Sequence, residues 1–373
     1  MKKIIGILYL VICMLIFTSC FNYRDINKLL FATAVIVDVN EEKQPIIYIE
    51  AFKAVEGTET GQRLIFRGRG KTNFEALRNI NLGTSFKFNV TQNKALIFTT
   101  KAAEVGIDKF IDFYHRDQEF LNRQYICIYK GEIENLTNVE IKENKYIGDF
   151  LKRLLDNVGA SSRATHITIN EYLNQRLVGD KANIIPIIEV KQDVGGDKKI
   201  IINGSAVVKN DKMVSEIPRE MGKGFNFLLN NVKSGTLEVT NPNFPNEFIT
   251  LEILKSKTDT KLRLENGRLI VNKNIKVKTA IAEVQEGLDI TKQSLNEIKE
   301  VAQDNIKKAC YHIFEEYKEK GIDIFDITEE FERKYPKEQI SNVIEKTDLF
   351  VDVKIEIESG NDDLDFINVS EKK

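Results

Sequence analysis

The sequence has no tryptophan and only four cysteines in 373 residues. Two of these cysteines, Cys127 and Cys310, lie far from the N-terminus in unlike contexts, a strand-like stretch and a long helical pattern. We expect both to be buried as small hydrophobic side chains and not to pair with each other. The chain is therefore not a disulfide scaffold, and its stability must come from packed hydrophobic cores.

The chain also lacks a strong excess of charge of either sign. Lysine and arginine number 54, aspartate and glutamate 56, so the net charge is −2 and becomes −4 without Lys2 and Lys3. A protein that binds nucleic acid needs a basic surface to neutralise phosphates. The balance argues against nucleic acid as the main partner and against a polybasic membrane-binding patch. A hydrophobic content of 42% with 29% charged residues is ordinary for a folded globular protein.

No residue pattern typical of a catalytic, nucleotide-binding or metal site is present. His115, His166 and His312 have no His-x-x-His spacing and no neighbouring cysteine pair, so no zinc site is predicted. Residues 70–72 (Gly-Lys-Thr) look like the end of a phosphate-binding loop, but that motif needs a glycine where the chain has Ile65. No Gly-x-Ser-x-Gly elbow accompanies His166. We therefore predict no enzyme and no cofactor.

What the sequence does have is one long apolar run, at the N-terminus. Lys2 and Lys3 precede 14 apolar residues, 4–17, which are too few to cross a bilayer but suit the core of a signal peptide. The run leads through two small residues into Cys20, a pattern typical of bacterial lipoproteins. We therefore predict removal of residues 1–19 and acylation of Cys20 (diacylglyceryl on the thiol, N-acyl on the amine). Two acyl chains together would anchor the protein stably in a membrane. A short membrane anchor and an ordinary secretory signal are the alternatives.

The order of predicted elements indicates an α+β fold with mixed sheets flanked by helices. Strand and helix patterns alternate in the first half, and strands with one long helix dominate the second. The glycine-rich segment 195–197, flanked by apolar strands, is the best internal boundary. We predict a signal peptide at 1–19, an N-terminal mixed α/β region at 20–195, a C-terminal α+β domain at 196–361 and a disordered acidic tail at 362–373.

Several local patterns are clear enough to predict single elements. Apolar residues recur at spacings of three and four through 291–320, which predicts a helix about 45 Å long that ends at Gly321. Residues 265–268 (Glu-Asn-Gly-Arg) and 209–212 (Lys-Asn-Asp-Lys) predict hairpin turns. The Thr-x-x-Glu pattern at 72–75 predicts a capped helix start.

Blocks of sequence along the chain resemble the spore germination lipoproteins, the C subunits of nutrient germinant receptors. They fall in the family's order and span nearly the whole chain. The blocks are residues 20–26 (CFNYRDI), 70–72 (GKT), 76–79 (ALRN), 204–214 (GSAVVKNDKMV), 323–325 (DIF) and 331–336 (FERKYP). The chain departs from the family at Phe21, where tryptophan is usual, and at residues 326–328 (Asp-Ile-Thr), where glycines are common.

This resemblance implies a fold of three α+β domains and a non-enzymatic receptor subunit. The protein would be lipid-anchored through Cys20 at the outer face of the spore inner membrane, beside the integral-membrane A and B subunits. It would take part in spore germination in response to nutrients, and whether it binds the nutrient is left open. Two other classes are considered: a solute-binding lipoprotein of a transporter, which predicts two similar lobes around a cleft, and a cell-wall hydrolase.

Overall fold

A computed structural model describes residues 28–55, 57 and 61–358. The first half of the chain forms one large sheet. Its strands are β1 (Leu29–Val39), β2 (Pro45–Lys53), β3 (Gln62–Arg69), β4 (Lys87–Asn89), β5 (Ala95–Thr99), β6 (Tyr125–Tyr129), β7 (Ala182–Gln192), β8 (Lys198–Lys209) and β9 (Lys212–Ile217). They lie in the order β3-β2-β1-β5-β6-β7-β8-β9, with β4 beside β1. The central strands are parallel and the outer pairs antiparallel.

Helices cover both faces of this sheet because its central strands are apolar on both faces. Every residue of β5 is buried, as are four of the five residues of β6, which is the pattern of a parallel strand enclosed between helix layers. The helices are α1 (Asn73–Asn81), α2 (Thr100–Val105), α3 (Asp108–Arg116), α4 (Ile133–Thr137), α5 (Ile147–Asp156) and α6 (Ile169–Gln175). Side chains of α1, α2, α3 and α6 enter the core on one face, and those of α4 and α5 enter the core on the other.

The predicted boundary at 195–197 falls on the turn of a hairpin within the first sheet. Strands β7 and β8 flank this turn and pair with each other from Ala182–Lys209 to Gln192–Lys198. The first sheet therefore continues through β9 to Ile217. A polar glycine-rich turn has the same local sequence whether it joins two paired strands or two domains, so the sequence could not separate the two cases.

The second half forms a four-stranded sheet packed on one long helix. Its strands are β10 (Thr236–Thr240), β11 (Phe248–Glu265), β12 (Arg268–Val284) and β13 (Thr347–Ile357), in that order, and its helices are α7 (Gly222–Leu228), α8 (Lys292–Glu319) and α9 (Ile327–Lys334). Strands β10 to β12 are antiparallel and β13 runs parallel to β12. The buried face of each strand packs with α7, α8 and α9 in a single hydrophobic core.

The local patterns of the second half are confirmed by this structure. Helix α8 is capped at Thr291, and Gly321 follows its C-cap in the left-handed region at φ +64°. Asn266 and Gly267 both have positive φ (49° and 76°) at the tip of the β11–β12 hairpin, as a two-residue primed turn requires.

Helix α8 reaches both edges of the second sheet. At β13, the backbone N–H of Val351 donates to the Tyr311 hydroxyl (3.0 Å) and that of Ile355 donates to Oε1 of Gln303 (3.2 Å). At β10, Nδ2 of Asn305 donates to a backbone oxygen of that strand (3.3 Å). Side chains of α8 therefore bond to backbone groups on both edge strands, which an edge strand would otherwise leave open.

The α+β class with mixed sheets flanked by helices is confirmed. The described residues form two sheets, so the three-domain arrangement implied by the family resemblance stays a prediction. The signal peptide at 1–19 and the acidic tail at 362–373 lie outside the described residues. The two halves differ in strand number and topology, whereas a solute-binding lipoprotein was expected to have two similar lobes.

Candidate functional site

The predicted site residue, Cys20, lies outside the described residues, and its acylation stays a prediction. The three histidines do not come together: His115 is at the end of α3, His166 precedes α6 and His312 is exposed on α8. Within the described ranges, no group of three or more His, Cys, Asp and Glu side chains is arranged to hold a metal ion.

Residues 70–72 form a strand-to-helix turn. The Thr72 hydroxyl accepts a hydrogen bond from the backbone N–H of Glu75 (3.2 Å), and the Glu75 carboxylate accepts one from the backbone N–H of Lys71 (2.6 Å). A side chain at Gly70 would collide with the backbone of Ala76. The predicted helix cap is confirmed, and the glycine allows close packing between the turn and α1.

Both internal cysteines are buried and free, as the sequence predicted. Cys127 belongs to the core of the first sheet and Cys310 to that of the second. Burial raises the pKa of each thiol to about 12. Because the thiolate is the reactive form, neither cysteine is a candidate nucleophile.

The two halves are joined by polar contacts around the C-terminal end of α8. The Asp180 carboxylate accepts hydrogen bonds from Nζ of Lys209 (2.7 Å) and from the backbone N–H of Asp323 (2.8 Å). Lys209 also donates to the Gly321 carbonyl (3.2 Å), and the Tyr317 hydroxyl donates to the carbonyl of Glu216 on β9 (3.0 Å). These bonds place the loop before α9 directly against the first sheet.

A cavity of about 500 Å³ opens beside this junction and is lined by both halves. The first half contributes the end of α5, the loop that follows it, α6 and the start of β7, and the second half contributes α7, the segment after it and the loop before α9. Its lining residues with charged or aromatic side chains are Tyr125, Asp156, His166, Glu171, Phe225, Lys233 and Asp326. Pockets that bind small molecules are common at such domain junctions.

On the first-half wall, the carboxylates already have partners. Asp156 accepts hydrogen bonds from the Tyr125 hydroxyl (2.8 Å) and from Nζ of Lys152 (2.5 Å). Burial alone would raise the pKa of Asp156, but these two bonds hold it below its ordinary value. Glu171 accepts from both the backbone N–H and the hydroxyl of Thr168, which caps α6.

On the opposite wall, the Asp326 carboxylate has no hydrogen bond or ion pair with any described residue. Asp326 is the N-cap of α9 but its side chain makes no cap bond, and its backbone is left-handed at φ +58°. The side chain is open to the cavity, yet the surrounding protein raises its pKa to about 6 by burial and by the nearby carboxylates of Asp323 and Glu329. Asp323 itself is buried and accepts backbone N–H groups of Phe325 and Thr328.

Asn226, on α7, supplies a second unsatisfied acceptor. Its side chain is 2% exposed and lines the cavity. Nδ2 donates to the carbonyls of Ser162 (2.9 Å) and Ala164 (3.0 Å), which fixes the orientation of the amide. Oδ1 is buried and has no hydrogen-bond partner among the described residues. An unpaired buried amide oxygen is costly and calls for an explanation.

Sequence reasoning did not find this cavity, because its residues come from separate segments that only the fold brings together. The one available signal was the segment 326–328, where the resembled family tends to have glycine. The left-handed φ of Asp326 gives that signal a physical meaning, since glycine adopts this conformation without strain. Aspartate there adds a carboxylate to the cavity wall.

No helix within the described part of the chain is both long and apolar enough to span a bilayer. Two family models match the chain in sequence order. The model of the spore germination protein N-terminal domain matches residues 22–190, and that of the spore germination B3/GerAC-like C-terminal domain matches residues 203–360. The two matches meet on either side of the β7–β8 turn.

Individual proteins agree with these matches. Spore germination protein GerQC of Bacillus cereus is 25% identical over 276 residues, covering 73% of this chain and 75% of that protein. Spore germination protein B3 of Bacillus subtilis (strain 168) is 22% identical over 275 residues, covering 72% and 71%. The crystal structure of the GerBC protein covers 90% of this chain and all of its own, with a TM-score of 0.53 and 16% identity, which shows a shared fold. The chain belongs to the GerAC-like family of spore germination proteins.

Proposed function

We propose that this protein is a non-enzymatic, lipid-anchored subunit of a nutrient germinant receptor, required for spore germination in response to nutrients. The observation that carries the proposal is the pair of family matches, which together extend from residue 22 to residue 360 with one short gap. The first match begins two residues after Cys20, at the start expected for the mature chain.

The mechanism follows from anchoring. Two acyl chains on Cys20 would hold the folded halves at the outer face of the spore inner membrane. Confinement there raises the effective concentration of this subunit near integral-membrane partners, which we take to be the A and B subunits of the receptor. The protein would then act through contacts with those subunits, and not by catalysis.

The decisive variant is Cys20→Ala. In spores whose native gene is replaced by this variant, we expect loss of acylation, release of the protein from the membrane fraction and slower nutrient-triggered release of dipicolinate. Mass spectrometry, membrane fractionation and germination rate measure the three effects. Cys13→Ala is the matched control, since Cys13 lies inside the apolar run and is not the predicted acylation site; it should keep all three properties.

Two outcomes would contradict the proposal. Normal germination by a Cys20→Ala protein that is no longer membrane-bound would show that anchoring is not part of the function. Normal nutrient-triggered germination of spores that lack the gene, with no other receptor responding to the same nutrient, would remove the receptor assignment itself.

A further inference from the structure

The outer edge of β3 is an open side of the first sheet. Residues 62–69 pair with β2 without a register shift, so the strand is regular over its whole length. Alternate residues of an edge strand direct their backbone N–H and C=O groups away from the sheet. Among the described residues, the one partner of this backbone outside β2 is Nδ2 of Asn79, which donates to the Arg69 carbonyl (2.8 Å). The remaining outward groups of β3 are open to another strand.

The strands at the other three ends of the two sheets are in contact with α8. Side chains of this helix bond to backbone groups of β9, β10 and β13. On β3, Leu64, Ile65 and Phe66 are only half-buried, and no proline interrupts the strand. A regular edge strand of this kind is a template for pairing with a further extended chain.

Arginines on β3 restrict what the strand can pair with. Arg67 and Arg69 are exposed on the same face as Ile65, and neither forms an ion pair with a described residue. Pairing of β3 with a second β3 would be longest in two registers, centred on Ile65 or on Phe66. Because opposite residues of an antiparallel pair share a face, these registers place Arg63 opposite Arg67 or Arg69, respectively, and such like charges are destabilising. A strand that carries carboxylates on this face is the better match.

The C-terminal segment of the chain carries the matching pattern. Residues 363–369, which lie outside the described residues, read Asp-Leu-Asp-Phe-Ile-Asn-Val. Alternate residues of an extended strand share a face, so both aspartates would fall on one face and Phe366 on the other. In one antiparallel register along β3, charged, aromatic and aliphatic pairs all match at once: Asp363 with Arg69, Asp365 with Arg67, Phe366 with Phe66 and Ile367 with Ile65. Cross-strand pairs of these kinds are stabilising.

We propose that segment 363–369 of a second copy of this chain adds to the outer edge of β3 as an antiparallel strand in this register. Main-chain hydrogen bonds supply the affinity, and the two ion pairs supply the specificity. A second copy is the donor because of reach. Asp363 is five residues beyond Glu358, a span of roughly 17 Å at most, whereas β3 lies seven strand spacings from β9, roughly 33 Å. Strand β9 is where the second half contacts the first sheet.

This inference concerns the purified protein and does not depend on the receptor assignment. The first test measures binding of a synthetic peptide of residues 359–373 to the full-length protein in detergent, captured on a sensor surface sparsely enough that copies do not meet. We expect saturable binding. Arg67→Glu combined with Arg69→Glu should weaken it at least about tenfold, because two attractive cross-strand pairs become repulsive. A peptide with Asp363→Lys and Asp365→Lys should restore binding to this variant, which a folding defect would not allow.

The matched control reverses two charges elsewhere. Lys257 and Lys276 are exposed and lie directly opposite each other on the second sheet. Lys257→Glu combined with Lys276→Glu makes the same change in net charge. Peptide binding should stay within about twofold of the wild type, since charges away from the binding edge are largely screened at 0.1 M salt.

The second test asks which chain supplies the segment. Directly opposite residues of an antiparallel pair lie within reach of a disulfide. A full-length protein with Arg67→Cys and Asp365→Cys should therefore form disulfide-linked dimers under mild oxidation. Asp365→Cys alone is the control for disulfides between two C-terminal segments, and it should form at least about fivefold fewer dimers.

Four results would overturn the proposal. One is the absence of saturable peptide binding up to about 1 mM peptide. Another is an equal loss of binding in the Lys257→Glu, Lys276→Glu control, which would indicate a general attraction between charges. A third is failure of the charge-reversed peptide to bind the arginine variant. The last is a disulfide within one chain in place of a dimer, which would assign the segment to its own β3.

Discussion

At the scale of single residues, Glu50 and Asp326 show two opposite environments for a carboxylate. Glu50 is fully buried, but its carboxylate accepts from the Thr33 hydroxyl (2.6 Å), from Nε of Arg63 (2.6 Å) and from two backbone N–H groups at the start of α5. A buried charge with this many donors is tolerated. Asp326 has no such donors, and its charge therefore costs stability.

The pH dependence of stability should reveal this cost. In the unfolded chain the Asp326 carboxyl has an ordinary pKa near 4, whereas the folded protein raises the pKa to about 6. The folded state therefore binds the proton more tightly, and ionisation of Asp326 destabilises the fold as the pH rises from about 4 to 7.

Asp326→Asn should remove this penalty. We expect its unfolding temperature to exceed that of the wild type by about 1–3 °C at pH 7.5, a modest value because the group is open to the cavity and partly screened, and the difference should vanish near pH 4. Calorimetry at the two pH values measures it. Asp323, Glu329, Glu330 and Lys273 are present in both proteins, so the comparison isolates the removal of the Asp326 charge. An equal gain at both pH values would mean that backbone strain, and not charge, is responsible.

At the scale of elements, the sequence was most informative where a signal is local. The three-and-four periodicity predicted α8 to within one residue at each end, and the Asn-Gly pair predicted the β11–β12 turn. The segment 195–197 lies at the turn between the paired strands β7 and β8, and this pairing could not be predicted because it depends on residues far from the turn. The domain boundary there stays a prediction. The parallel pairing of β13 with β12 is likewise non-local, since about sixty residues separate the two strands.

The open face of the second sheet contains an unfavourable row of like charges. Lys276 on β12 lies directly opposite Lys257 on β11 and opposite Lys354 on β13. All three side chains are exposed, and the outer two have acidic neighbours at Asp259 (2.7 Å) and Glu356 (3.5 Å). Like charges directly opposite each other on adjacent strands are destabilising.

Replacing the central lysine should therefore stabilise the sheet. We expect Lys276→Glu to increase the free energy of unfolding by about 0.5 kcal/mol at low salt, and the gain should shrink in 1 M NaCl, where surface charges are screened. Urea unfolding at both salt concentrations measures the effect. Lys276→Gln, which removes the repulsion without adding attraction, should give an intermediate value. A loss of stability in the Lys276→Glu protein at low salt would show that repulsion between the three lysines does not destabilise the sheet.

At the scale of the whole molecule, the fold class could be predicted from the sequence and the junction could not. Asp180 connects the two halves, yet nothing in the residues around it distinguishes it from an ordinary surface aspartate. Its partners, Lys209 and the backbone of Asp323, are 29 and 143 residues away along the chain. The same is true of the cavity, whose walls only the folded junction brings together.

Asp180→Ala should loosen this junction. Lys209 would lose its carboxylate partner and the N–H of Asp323 its acceptor, so we expect a loss of about 1–3 kcal/mol in the free energy of unfolding. Hydrogen exchange should become faster for residues 321–328, which pack against the first half. Asp112→Ala is the control, since Asp112 pairs with Arg116 on the exposed face of α3 and should change stability by less than about 0.5 kcal/mol. An unchanged rate of hydrogen exchange at residues 321–328 in the Asp180→Ala protein would contradict the role of Asp180 in holding the two halves together.

An anchor at Cys20 would hold the start of β1, at Leu29, close to a bilayer. If Cys20 carries the lipid, eight residues, 21 to 28, separate it from β1, and a chain of that length can span at most roughly 30 Å. Lys87 lies beside Leu29 in register, and Lys53 ends the neighbouring strand at the same end of the sheet. A lipid on Cys20 would therefore keep this lysine-bearing rim within roughly 30 Å of the headgroups, which restricts both the height of the protein above the bilayer and the orientations open to it.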